Sequence, residues 1–147
     1  MKMFGAALLC CVVFVGGCGR VGMQSKHVPV TSAIMHQLDL PVYPGAKPSK
    51  AGADQISLMG THGVAVFLET SDDFSKVQDF YQHRLPSNAR MMHFGIGSFK
   101  TIAFQFYAGA PGGIVAKQVS ISGAAGHTII QLQSTAMTRS TPQPSPT

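Results

Sequence analysis

Tryptophan is absent from this chain of 147 residues, and charge is scarce, with eleven Lys and Arg and six Asp and Glu making up 12% of it. An ordinary soluble domain carries about twice that share, roughly 25%. The few cations, among them Lys47, Lys50, Lys76, Arg84, Arg90, Lys100 and Lys117, are scattered. A net charge of +5 therefore describes a mildly basic surface and not a dedicated anion-binding patch. Cysteine occurs only at Cys10, Cys11 and Cys18. Everything after residue 18 is thus without disulfides, thiolate zinc sites or a cysteine nucleophile, and must fold by packing alone.

Catalytic motifs are missing as well. There is no G-x-S-x-G elbow, no H-x-H and no H-E-x-x-H. Gly95-Ile96-Gly97-Ser98 has the look of a phosphate loop, but it lacks the third glycine and the lysine and leads toward a strand. Six histidines (His27, His36, His62, His83, His93 and His127) fall in separate segments without metal-ligand spacing, so no metal or other cofactor is expected. Asp72 and Asp73 form a carboxylate pair, yet they stand just before a helical pattern, where capping is the simpler role.

What is present begins at the N-terminus. Lys2 supplies a positive charge, Met3 to Val15 form an apolar run, and Gly16-Gly17 lead into Cys18. That order is an export signal with a small-residue cleavage site between Gly17 and Cys18. Met3 to Cys18 falls short of the roughly 20 residues that a membrane span needs. Val15-Gly16-Gly17-Cys18 resembles the lipobox of bacterial lipoproteins. The resemblance implies that residues 1–17 are a signal peptide and that the Cys18 thiol receives a diacylglyceryl group. The new amine would then be acylated, a palmitate-type modification, which makes the covalent lipid the chain's only expected attachment. Gly19, where inner-membrane lipoproteins carry Asp, implies the periplasmic face of the outer membrane in a host with two membranes. Export also argues against nucleic acid as a partner, and loss of Lys2 leaves ten basic residues against six acidic, a net +4.

Residues 18–39 are polar and aperiodic and read as a lipidated N-terminus followed by a flexible tether. Residues 40–134 hold the periodic hydrophobicity and form one globular domain. Residues 135–147, with three prolines after Ser140, read as a disordered tail. Within the domain, Thr70-Ser71-Asp72-Asp73 and the spacing of Phe74, Val77, Phe80, Tyr81 and Leu85 before Pro86 predict a helix over Asp72–Leu85. Alternation predicts strands at 55–59, 63–69, 100–108, 117–122 and 127–133, with a further candidate at 91–94. The expected class is α+β: a single helix on a twisted antiparallel sheet of about five strands, in the order β-β-α-β-β-β. Leu40-Pro41-Val42-Tyr43-Pro44-Gly45-Ala46, with Phe80-Tyr81 and Leu85-Pro86, also loosely resembles small domains of bacterial envelope proteins. That resemblance implies fold and no mechanism.

Three functions fit. The first is a non-catalytic binding or assembly module of the cell envelope, taking a partner strand on an open sheet edge at 117–122 or 55–59. The second is a carrier of a small apolar ligand or lipid in a groove lined by Tyr43, Met91, Phe94 and Tyr107, with Met92 and Phe99 nearby. The third is a small envelope hydrolase with His93 or His127 as base and Asp54 or Glu69 as partner. The absence of paired catalytic groups favours the first.

Overall fold

The computed structural model describes residues 24–58, 61–96, 99–111, 113–124 and 126–138. Seven strands and two helices alternate along them: β1 (Gln24–Val28), α1 (Ser32–Leu38), β2 (Lys47–Leu58), β3 (Thr61–Thr70), α2 (Phe74–Arg84), β4 (Arg90–Ile96), β5 (Phe99–Ala110), β6 (Gly113–Ala124) and β7 (His127–Thr138). All strands join one sheet in the order β1-β2-β3-β7-β6-β5-β4. Every neighbouring pair is antiparallel.

Pairing register sorts the side chains into two faces, because successive residues of a strand point to opposite sides. Val66, Leu132, Val119 and Phe104 lie in one row across four strands, and Leu68, Ile130, Ile121 and Ile102 in another. These eight are buried. Both helices cover this face: α1 lies on β3 and β7, α2 on β6 and β7. From α1 come Ile34 and Leu38, and from α2 Val77 and Tyr81, all buried in the same core. Among the described residues no element covers the other face.

Capping explains the helix limits. Thr31 Oγ1 accepts the Ile34 N–H at 3.3 Å to start α1, and Asp39 ends it in the left-handed conformation at φ 46°. α2 ends at Leu85, held extended as Pro86 requires. At its start Asp73 occupies the N-cap without a side-chain hydrogen bond. Asp72 instead accepts the Tyr43 hydroxyl at 2.7 Å, so the aspartate pair is less a cap than a clasp on the loop before β2.

The single helix on about five strands is therefore corrected to two helices on seven strands. β1 and α1 lie within the stretch expected to be a tether. β1 is polar and is defined by its pairing to β2 rather than by alternation. α1 buries only Ile34 and Leu38, too few positions to set a period. β2 is twelve residues long although it contains Pro48 and Gly52. A bulge between Pro48 and Ala53, with Gly52 at φ 64°, absorbs both. The sheet also continues to Thr138, beyond the expected domain limit at 134.

Candidate functional site

Neither strand expected to form an open edge lies at the margin of the sheet. Residues 117–122 belong to β6, interior between β5 and β7, and 55–58 belong to β2, interior between β1 and β3. Neither offers unpaired backbone. The outer strands are β1 and β4. β1 is short and carries Lys26 and His27, the charged kind of side chain that discourages further pairing. β4, Arg90-Met91-Met92-His93-Phe94-Gly95-Ile96, has Arg90 at its start and His93 at its middle but neither lysine nor proline, and it is the longer of the two. Phe94 is 55% exposed and Met91 39% exposed. Its outer backbone N–H and C=O groups face away from β5, which makes β4 the less blunted edge.

The four residues expected to line a groove are not brought together. Tyr43 is buried against α2, its ring edge-on to Phe80 at 5.2 Å, beside a surface concavity of about 450 Å³. Met91 pairs with Phe104 on the helix-covered face. Phe94 and Tyr107 share the open face, but Phe94 is opposite Thr101, six residues along β5 from Tyr107. Six residues of strand span about 20 Å. Cys18 and Gly17 lie outside the described residues, as does Phe99's side chain.

The candidate acid–base pairs separate. His93 and Asp54 stand five strands apart, and Asp54 meets His27 at 3.2 Å. His127 and Glu69, by contrast, line one polar concavity of about 390 Å³ with Gly45, Lys47, Thr70 and Ser71. Among the described residues no three His, Cys, Asp or Glu side chains converge to hold a metal ion.

The open face shows a pattern that alternation alone did not reveal. Gln105, Gln118 and Gln133 stand side by side across β5, β6 and β7, with Thr101 opposite Ser122 and Ser120 opposite Gln131. The Thr101 and Ser122 hydroxyls bond at 3.0 Å, and Gln118 Nε2 donates to Ser120 Oγ at 2.9 Å. At one end of this neutral polar field, Ile114 pairs with Met137, and Tyr107 stands diagonally beside Ile114. All three are exposed, at 44%, 48% and 58%. Single exposed apolar residues are ordinary, whereas an adjacent group marks a contact surface.

On the covered face, where Thr70 and Thr128 are also buried, Lys117 is the one buried charge among the described residues, only 7% exposed. Its ammonium donates to Asp39 Oδ2 at 2.5 Å and to the Asp39 carbonyl at 2.9 Å. The hydrogen bond and charge of Lys117 hold the Asp39 carboxyl below its usual range. This pair ties the end of α1 to the centre of the sheet.

Comparison with known proteins adds nothing to these features: no family model, curated protein or solved structure matches the chain.

Proposed function

We propose that the chain is a lipid-anchored, non-catalytic binding module of the bacterial cell envelope, whose β4 edge accepts a strand from an envelope partner. Anchoring rests on Val15-Gly16-Gly17-Cys18 and the apolar run before it. The observation that carries the binding mode is the open edge of β4. Natural sheets protect their edges with charged side chains, Pro, bulges or a covering element. β4 carries Arg90 at its start and His93, but its pairing with β5 has no bulge, it holds no Lys or Pro, and among the described residues no element covers it. Backbone hydrogen bonds would supply affinity, and the alternating side chains Met92 and Phe94 on the open face would supply specificity. In a host with two membranes, Gly19 after the lipidated cysteine favours the outer membrane's periplasmic face. The lipid confines the module to two dimensions, so a modest strand-pairing affinity suffices at the resulting local concentration.

The test is quantitative co-purification from detergent-extracted membranes with wild type, Cys18→Ser and Phe94→Lys. Phe94 is more than half exposed, so lysine there costs the fold little while blunting the edge. A defined envelope protein recovered with wild type and lost with Phe94→Lys supports the proposal. The same partner recovered undiminished with Phe94→Lys refutes β4 as the docking strand.

A further inference from the structure

The exposed apolar group at Tyr107, Ile114 and Met137 has a definite place relative to the anchor. Gln24, where the described chain begins, pairs with Ser57. Ser57 pairs with His62, His62 with Ala136, Ala136 with Val115, and Val115 with Ala108. That row lies immediately between the Met137–Ile114 row and the row holding Tyr107. The chain therefore enters the domain at the same end of the sheet that displays the three exposed apolar side chains. From Cys18 to Gln24 are six Cα–Cα steps, which reach at most about 20 Å even when fully extended. Phe94 lies at the opposite end, in the row of Thr101 and Ser122.

Few charges of either sign stand at this end, and the strand cations Lys47 and Lys100 lie at the opposite one. The strands contain two acidic residues, Asp54 and Glu69. Asp54 pairs with Ala65 and Glu69 with Ile129, both farther from the entry end than the Tyr107 row. Asp72 and Asp73 follow β3 beyond Glu69, away from the entry end. At the entry end itself stands His62, and one row past Tyr107 are Lys26 and, on the covered face, Lys117 with its Asp39 partner. An end that displays apolar side chains and is tethered within a short reach suits a bilayer surface.

We infer that this end of the domain seats on the bilayer, with Tyr107, Ile114 and Met137 entering the headgroup region, so that the opposite end with β4 points away from the membrane. The inference rests on the anchoring reading for its geometry, because Cys18 fixes where the lipid attaches. The membrane contact and the partner edge then occupy opposite ends of one sheet, and both can be engaged at once.

The absence of tryptophan makes the test direct. Tyr107→Trp, Ile114→Trp and Phe94→Trp each introduce a single reporter at an exposed site. Residues 18–147, which include every residue the structure describes, carry Cys18 as their sole thiol. Coupling that thiol to a maleimide phospholipid in phosphatidylethanolamine–phosphatidylglycerol vesicles fixes the tether whether or not cells lipidate it. With brominated lipid in the vesicles, the reporters at 107 and 114 should shift to the blue and lose most of their emission, while the reporter at 94 stays unquenched. Equal quenching at all three sites, or none at 107 and 114, overturns the seating. A blue shift at 107 without vesicles would mean that another copy of the chain covers the patch, and would overturn it too. Failure of native lipidation would be seen separately, in the mass of the membrane-extracted protein.

Discussion

Removing the charge of Asp39 and removing the charge of Lys117 should have unequal effects, although the two form one ion pair. Lys117 is nearly buried, whereas the Asp39 side chain is 86% exposed. In Asp39→Asn the ammonium keeps the backbone carbonyl at 2.9 Å but loses its counter-charge. Breaking a fully buried pair costs about 3–5 kcal/mol. Here water reaches the aspartate side, so a loss of about 1–2 kcal/mol is expected. Asparagine tolerates the left-handed backbone at this position, so no conformational cost is added. In a domain of this size the melting temperature should fall by roughly 5–10 °C. Lys117→Met keeps an unbranched stem in the same space and removes the need to desolvate an ammonium, so its effect should stay within about 1 kcal/mol of neutral. In the Lys117→Met background, Asp39→Asn should then be nearly silent. The fold holds the Asp39 carboxyl below its usual value of 3.8. The stability it contributes is therefore complete above that value and is lost as pH falls through the lowered one. Lys117→Met should abolish that acid-side loss. Thermal melts of wild type and these three variants between neutral pH and pH 2 decide it, and a Lys117→Met variant less stable than Asp39→Asn would refute the reasoning.

Three further outcomes follow from packing. Tyr81 is fully buried, and its hydroxyl has only the Tyr43 backbone near it and no well-formed hydrogen bond, so Tyr81→Phe should move the unfolding free energy by no more than about 1 kcal/mol in chemical denaturation. Gly52 sits at φ 64°, and a Cβ there would lie 2.9 Å from His27 Cε1, so Gly52→Ala should cost at least about 1 kcal/mol in chemical unfolding. Tyr43→Phe removes the 2.7 Å bond to Asp72 that joins the loop before β2 to the start of α2, and should cost about 0.5–1.5 kcal/mol by the same measurement.

Elements with both a period and punctuation were legible in the sequence. α2 carries Val77, Phe80 and Tyr81 on one face and stops before Pro86, and it forms within two residues of its expected limits at the start and one at the end. The alternation in β5, β6 and β7 likewise located three strands, although each extends several residues past its apolar core. Those extensions are mostly Gly, Ala, Ser and Thr, with Phe99, Ile114, Val115 and Met137 too few to set a period, so their strand conformation comes from register with neighbours. β1 was hidden for the same reason, and with it the identity of both sheet edges. Edge position is a property of strand order, and in an antiparallel sheet neither alternation nor turn spacing specifies that order. The patch of Tyr107, Ile114 and Met137 joins residues up to thirty positions apart. Only the pairing of Ile114 with Met137 brings them together. Strand spacing marks Tyr107 as an aromatic on one face, but only pairing shows Ala116 and Ile114 as its neighbours.

The most direct test of the account is the intact mass of the protein extracted from the membranes of a bacterial host. A chain beginning at Cys18 and carrying a diacylglyceryl group with an acylated amine is the predicted result. A chain that retains residues 1–17, begins elsewhere, or carries an unmodified Cys18 would contradict the anchoring on which the proposed function stands.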